Sequence, residues 1–182
     1  MPYSNEYLLE AREELKRLEH IIYVSLKYTR TVDVIRNALD RMVDMFDLLI
    51  EALLEKAKEE KRLEVLPKSP AFRATKVREL YPDDQRLLKF IDFYAFLKNI
   101  LKLPSKKREE YRRHVTLLVE LENSTAEINI DNLVNCERYV HDCLKHVSEL
   151  IEGKIIEDWL FFLIKLLTTH SLTAKLLNIL TV

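Results

Sequence analysis

Glycine is almost missing from this chain. Gly153 is the only one in 182 residues, where an average chain of this length carries about a dozen. Glycine-rich phosphate loops are therefore excluded, and with them P-loop, dinucleotide-binding and protein-kinase chemistry. A G-x-S-x-G nucleophile elbow is excluded by the same shortage. Folds built from many tight β turns also need glycine, so the chain points to helices. Glutamine occurs once, Gln85, beside abundant lysine and glutamate, a composition similar to that of thermophile proteins. Net charge is nearly absent too: 29 lysines and arginines face 30 aspartates and glutamates. An electrostatic partner must then be met by a local patch. Only two cysteines occur, Cys136 and Cys143. On one helix their spacing is roughly 10 Å, too far for a bridge, and a reducing cytoplasmic setting is the natural expectation. The first nineteen residues are charged and periodic, so no leader is expected.

What is abundant is helical periodicity. With 48 % apolar residues the chain can bury a core of ordinary size. Leu8, Leu15, Leu18, Ile22 and Leu26 form one stripe at three-four spacing over residues 5–28. Thr31 is placed as the N-cap of a second, longer stripe: Ile35, Leu39, Met42, Phe46, Leu49, Leu53 and Ala57. Pro67 and Pro70 mark a linker, and Ser69 before Pro70 opens a short helix over residues 70–80. Pro82 ends it, and Asp83 or Asp84 caps a helix that runs to Pro104. Residues 105–113 read as a short basic helix. Val115, Leu117, Val119 and Leu121 then alternate with polar neighbours, and so do Ala126, Ile128 and Ile130 beyond a polar turn. That pattern predicts a β-hairpin over about 114–130. Asp131 is expected to cap a last long helix, residues 131–152, closed by Gly153. Tyr23, Tyr28, Tyr94, Tyr139, Phe90, Phe93 and Phe96 are expected in the core. The fold class that follows is mostly α: an antiparallel bundle of four to five long helices with one small hairpin. Residues 1–153 form the bundle. Residues 154–182 form an apolar helical extension, packed on the bundle or at an oligomer interface.

The strongest local charge imbalance lies in residues 102–114. Six cations, Lys102, Lys106, Lys107, Arg108, Arg112 and Arg113, face only Glu109 and Glu110, with Tyr111 among them. Lysine and arginine neutralise phosphates, and a tyrosine ring stacks on a base, so RNA is the candidate ligand. Lys106, Lys107, Arg108, Tyr111, Arg112 and Arg113 are the candidate binding residues. Arg108 and His114 also enclose five residues, an R-x5-H spacing. In a small helical chain this resembles HEPN-type domains, marked by R-x4–6-H, many of which are ribonucleases of toxin–antitoxin and defence systems. The resemblance is topological and covers about the first 150 residues. It implies His114 as general acid or base on a 2′-hydroxyl and Arg108 as the residue holding the scissile phosphate. It also implies dimerisation and a nucleotidyltransferase partner. One departure favours a binding relative over an enzyme. Active members usually carry a small or polar residue after the arginine, and here Glu109 would oppose a phosphate.

No metal site and no cofactor are expected. Cys136, His141, Cys143 and His146 share one helix, but only Cys143 and His146 share a face, and a structural site needs four ligands. Neither a Glu-x-x-His pair nor an H-E-x-x-H motif is present. The apolar tail is expected not to span a membrane. Its longest uninterrupted apolar run, residues 159–164, is six residues, and Lys165, His170 and Lys175 interrupt the rest. Three functions follow: a HEPN-like binding or assembly module contacting RNA, a metal-independent endoribonuclease using Arg108 and His114, and a structural subunit that forms a homo-oligomer through its C-terminal helices.

Overall fold

The computed structural model describes residues 5–153. Two compact units divide the chain, residues 1–147 and 148–182. Described residues of the second are the end of the last helix and Gly153, so the apolar extension lies outside the described residues.

Asn5 opens α1 (Glu6–His20) by accepting from the Leu8 N–H. A π-helical turn, Ile21–Ser25, and a closing α turn, Leu26–Tyr28, continue it. After a three-residue connection comes α2 (Val32–Glu59). So short a link makes the two helices antiparallel, and the buried Asn5 Nδ2 confirms it by donating to the Ala52 carbonyl at 3.2 Å. Leu8, Leu15, Leu18, Ile22 and Leu26 are all buried, as their spacing demands. α2 buries thirteen residues, more than one stripe, because it packs against α1, α3, α4 and a strand. One charged group enters this seam. Glu14, 8 % exposed, pairs with Arg17 and with Arg41 of α2, which offsets the cost of burying a carboxylate.

Ser69 and Pro70 begin α3 (Pro70–Leu80) as expected, with the Ser69 hydroxyl accepting from the Phe72 N–H. Asp84 caps α4 (Gln85–Lys102), accepting from the Leu87 N–H at 2.9 Å. Its other oxygen meets His146 Nε2 at 2.7 Å. Burial alone would raise the Asp84 carboxyl. The Leu87 N–H and the His146 ring outweigh it and hold the group below its ordinary value. Phe46, Phe90, Phe93, Tyr94 and Tyr139 join α2, α4 and the last helix through edge and tilted ring contacts at 5.0–6.0 Å. Tyr94 and Phe90 are core residues, as expected. Tyr23, Tyr28 and Phe96 are not: they are 52 %, 78 % and 46 % exposed, on the outward faces of their helices.

Beyond α4 the sheet is larger than a hairpin. Residues 105–108 form a strand, β1 (Ser105–Arg108), not the start of a basic helix. It pairs antiparallel with β2 (Thr116–Glu120), Ser105 opposite Val119 and Arg108 opposite Thr116. β3 (Thr125–Ile128) pairs on the other side, Leu117 opposite Ile128 and Glu120 opposite Thr125. The central β2 supplies the buried face with Leu117 and Val119, and Val115 just precedes it. Arg36 of α2 anchors the near edge, donating to the Leu101 carbonyl at 2.6 Å and the Ser105 hydroxyl at 3.2 Å. It thereby places a cation at the C-terminus of α4.

The last helix, α5 (Ile130–Glu152), is capped by Asn129 and not by Asp131. Asn129 and Asn132 exchange side-chain-to-backbone bonds at 3.0 and 3.1 Å, a reciprocal cap that satisfies the Asn132 N–H of the first turn and the Asn129 N–H just before it. Gly153 follows the helix at φ 72°, the left-handed position glycine fills at least cost.

Candidate nucleic-acid interface

The seven residues 109–115 join β1 to β2 and carry most of the candidate site. Two of them, Glu109 at φ 53° and Tyr111 at φ 65°, sit in the left-handed region. For a side chain with a Cβ that costs roughly 1–2 kcal/mol per residue, so surrounding contacts must impose it. Those contacts are present. The Tyr111 N–H donates to the Arg30 carbonyl at 2.6 Å. Glu110 accepts from the Val32 N–H at 3.1 Å. The Arg112 and Val115 N–H groups close the turn on Glu109 and Arg112 carbonyls. Thr31 sits at the cap position of α2, yet its side chain makes no cap bond. Glu110, 78 residues away, takes that role and places its negative charge at the positive helix end.

The β1 cations are matched one by one. Lys106 meets Glu120 at 2.5 Å. Lys107 lies 3.4 Å from both Asp33 and Glu110. Arg108 grips both oxygens of Glu127, at 2.6 and 2.8 Å. Glu120 pushes the Lys106 ammonium up, Asp33 and then Glu110 do the same for Lys107, and Glu127 does so for Arg108. Arg108 in turn holds Glu127 below its ordinary value. These exposed pairs add little stability, but they locally neutralise half of the basic stretch. Among the described residues Arg112 and Arg113 make no ion pair, and both are exposed. Tyr111, between Glu110 and these arginines, is 76 % exposed. Tyr28, two residues before Arg30, is a second exposed ring, which the helical spacing assigns to the core.

Arg108 and His114 do meet one space. A cleft of ≈ 460 Å³ is lined by Arg108, Glu109, Arg113 and His114 on one side and by Asn129 and Asp131 at the start of α5 on the other. Its charge is mixed, two guanidinium groups with two carboxylates, and the Arg108 fork is already occupied by Glu127. The remaining helix-borne candidates separate. His146 goes to Asp84, and His141 to Glu19 and Glu137 at 2.8 and 2.9 Å. Cys143 is buried, and burial pushes its thiol well up, away from the thiolate a metal would need. Sequence spacing pointed to Glu110 but missed Asp33, Glu120 and Glu127, the other carboxylates that decide which cations stay available. The partnerships of Glu120 and Glu127 follow from strand register, and that of Asp33 from the packing of α2 beside the sheet.

Among the described residues no helix is long and apolar enough to cross a membrane. Compared with models of known families, with curated proteins and with solved structures, the chain finds no match.

Proposed function

We propose that this chain is a HEPN-like module that binds single-stranded RNA through the β1–β2 turn. The observation that carries the reading is the turn itself: an exposed tyrosine, fixed in a left-handed backbone, beside two arginines that make no ion pair among the described residues. Tyr111 supplies a stacking face, and Arg112 and Arg113 meet the flanking phosphates. Fixing the turn before contact lowers the ordering cost of binding. Lys106, Lys107 and Arg108 contribute less, because a phosphate must first displace Glu120, Asp33 or Glu127. Dimerisation and a nucleotidyltransferase partner rest on the family resemblance alone, and a homo-oligomer through the C-terminal helices remains the structural alternative.

Fluorescence anisotropy with a labelled mixed-sequence RNA tests this. Tyr111→Ala should cost about 1–3 kcal/mol, roughly five- to 150-fold in affinity. The Arg112→Ala/Arg113→Ala double variant should flatten the dependence of log K on log salt by about 1.4. RNA binding that is absent at low salt, or unchanged in these variants, rejects the proposal.

The shared cleft favours one second reading, a metal-independent endoribonuclease with His114 as acid–base group and Arg108 on the phosphate. It expects 2′,3′-cyclic phosphate ends in EDTA, lost in His114→Ala. Binding without cleavage leaves the module reading standing alone.

A further inference from the structure

A second cluster lies on other elements. Glu19, near the end of α1, faces Glu137 and His141 of α5. One ligand atom from each lies within 4.8 Å of the other two. His141 Nε2 is 2.8 Å from a Glu19 oxygen and 2.9 Å from a Glu137 oxygen. A single ring N–H cannot align with both carboxylates. Glu137 is 5 % exposed, and its further partner is the Tyr23 hydroxyl at 3.2 Å, a neutral donor. Among the described residues neither carboxylate ion-pairs with a lysine or arginine. A buried carboxylate in such company is costly unless a cation joins it, and a protonated His141 or a bound metal ion would each serve.

The local backbone serves this arrangement. The π-helical turn Ile21–Ser25 begins two residues after Glu19 and carries Tyr23 toward Glu137. Such widened turns recur at functional sites. Glu137 and His141 are four apart on α5 and so share a face. Glu137 forms the floor, while Glu19 and His141, with side chains 37 % and 46 % exposed, form a rim open to solvent.

We propose that Glu19, Glu137 and His141 bind a divalent transition-metal ion, with Zn²⁺ as the ion the donors suit best. One imidazole nitrogen and two carboxylate oxygens form a mixed set that zinc accepts and that magnesium, which prefers oxygen and water, does not favour. Three protein ligands leave a fourth position to solvent. The ion would tie α1 to α5, which are joined here by donors more than a hundred residues apart. The proposal is independent of the RNA-binding turn.

The test uses the full chain, free of any affinity tag and stripped of metal, titrated calorimetrically with ZnCl₂ and then with MgCl₂. One Zn²⁺ should bind, with a matching rise in the thermal midpoint, and Mg²⁺ should not compete. His141→Ala and Glu19→Gln change partly exposed groups and should keep the helical circular dichroism. Each should weaken Zn²⁺ by at least about tenfold. No binding to the native chain overturns the proposal. Equal binding to both variants overturns it too, and moves the ion to other donors such as Cys136. Equal affinity for Mg²⁺ removes the assignment to a transition metal.

Discussion

α2 and β1 are held in place by opposite means. α2 buries thirteen side chains, among them Phe46 at 1 % exposure, and its neighbours close around them. β1 buries no side chain fully; three of its four residues are exposed lysine or arginine. What fixes β1 is pairing with β2, the Arg36 contact at Ser105, and carboxylates that meet each cation. The helix is positioned by area removed from water, which is non-directional and large. The strand is positioned by directional groups that are individually weak, and that leaves it free to carry charge at the sheet edge. Lysines there also discourage pairing with a second chain's edge.

The widest gap between the two regions should appear on truncation. Phe46→Ala should cost about 3–5 kcal/mol in urea unfolding, since Phe46 packs on Phe93 and Tyr94. Lys106→Ala should leave the unfolding midpoint unchanged, and an equal loss in both would break the comparison. A smaller effect sharpens it where the regions touch. Glu110→Ala should cost about 1 kcal/mol by removing the N-terminal cap of α2, while Thr31→Ala should be near neutral, although Thr31 holds the cap position. The smallest effect is one of pH. The folded Asp84 carboxyl lies below its unfolded value of about 3.9. Its contribution is therefore present above that value and is lost as pH falls through the lower folded one. Asp84→Asn should flatten this acid limb when denaturation midpoints are compared between pH 2 and 6.

The same contrast explains what was legible beforehand. Stripes such as Leu8–Leu15–Leu18–Ile22 announce a helix because burial on one face leaves a period. β2 carries its apolar residues on one face because that face packs on α2. β1 has no such mark. Ser-Lys-Lys-Arg followed by two glutamates contains good helix formers, and only the presence of β2 turns it into a strand. Caps behave likewise. Ser69 and Asp84 act on N–H groups three residues on and are readable locally. Glu110 acts 78 residues away and is not. Of the candidate site, the spacing of Arg108 and His114 did bring both to one cleft. The neutralising partners Glu120 and Glu127 depend on register, and the Glu19–His141 approach spans 122 residues.

The tether between the β1–β2 turn and α2 has a mechanical consequence. Two bonds hold the turn: Tyr111 to the Arg30 carbonyl in the connection that leads into α2, and Glu110 to the Val32 N–H at its start. A load applied to the turn is thereby delivered to the first amide of α2. Hydrogen exchange at that amide should therefore respond to a ligand held on the turn before the buried length of the helix does.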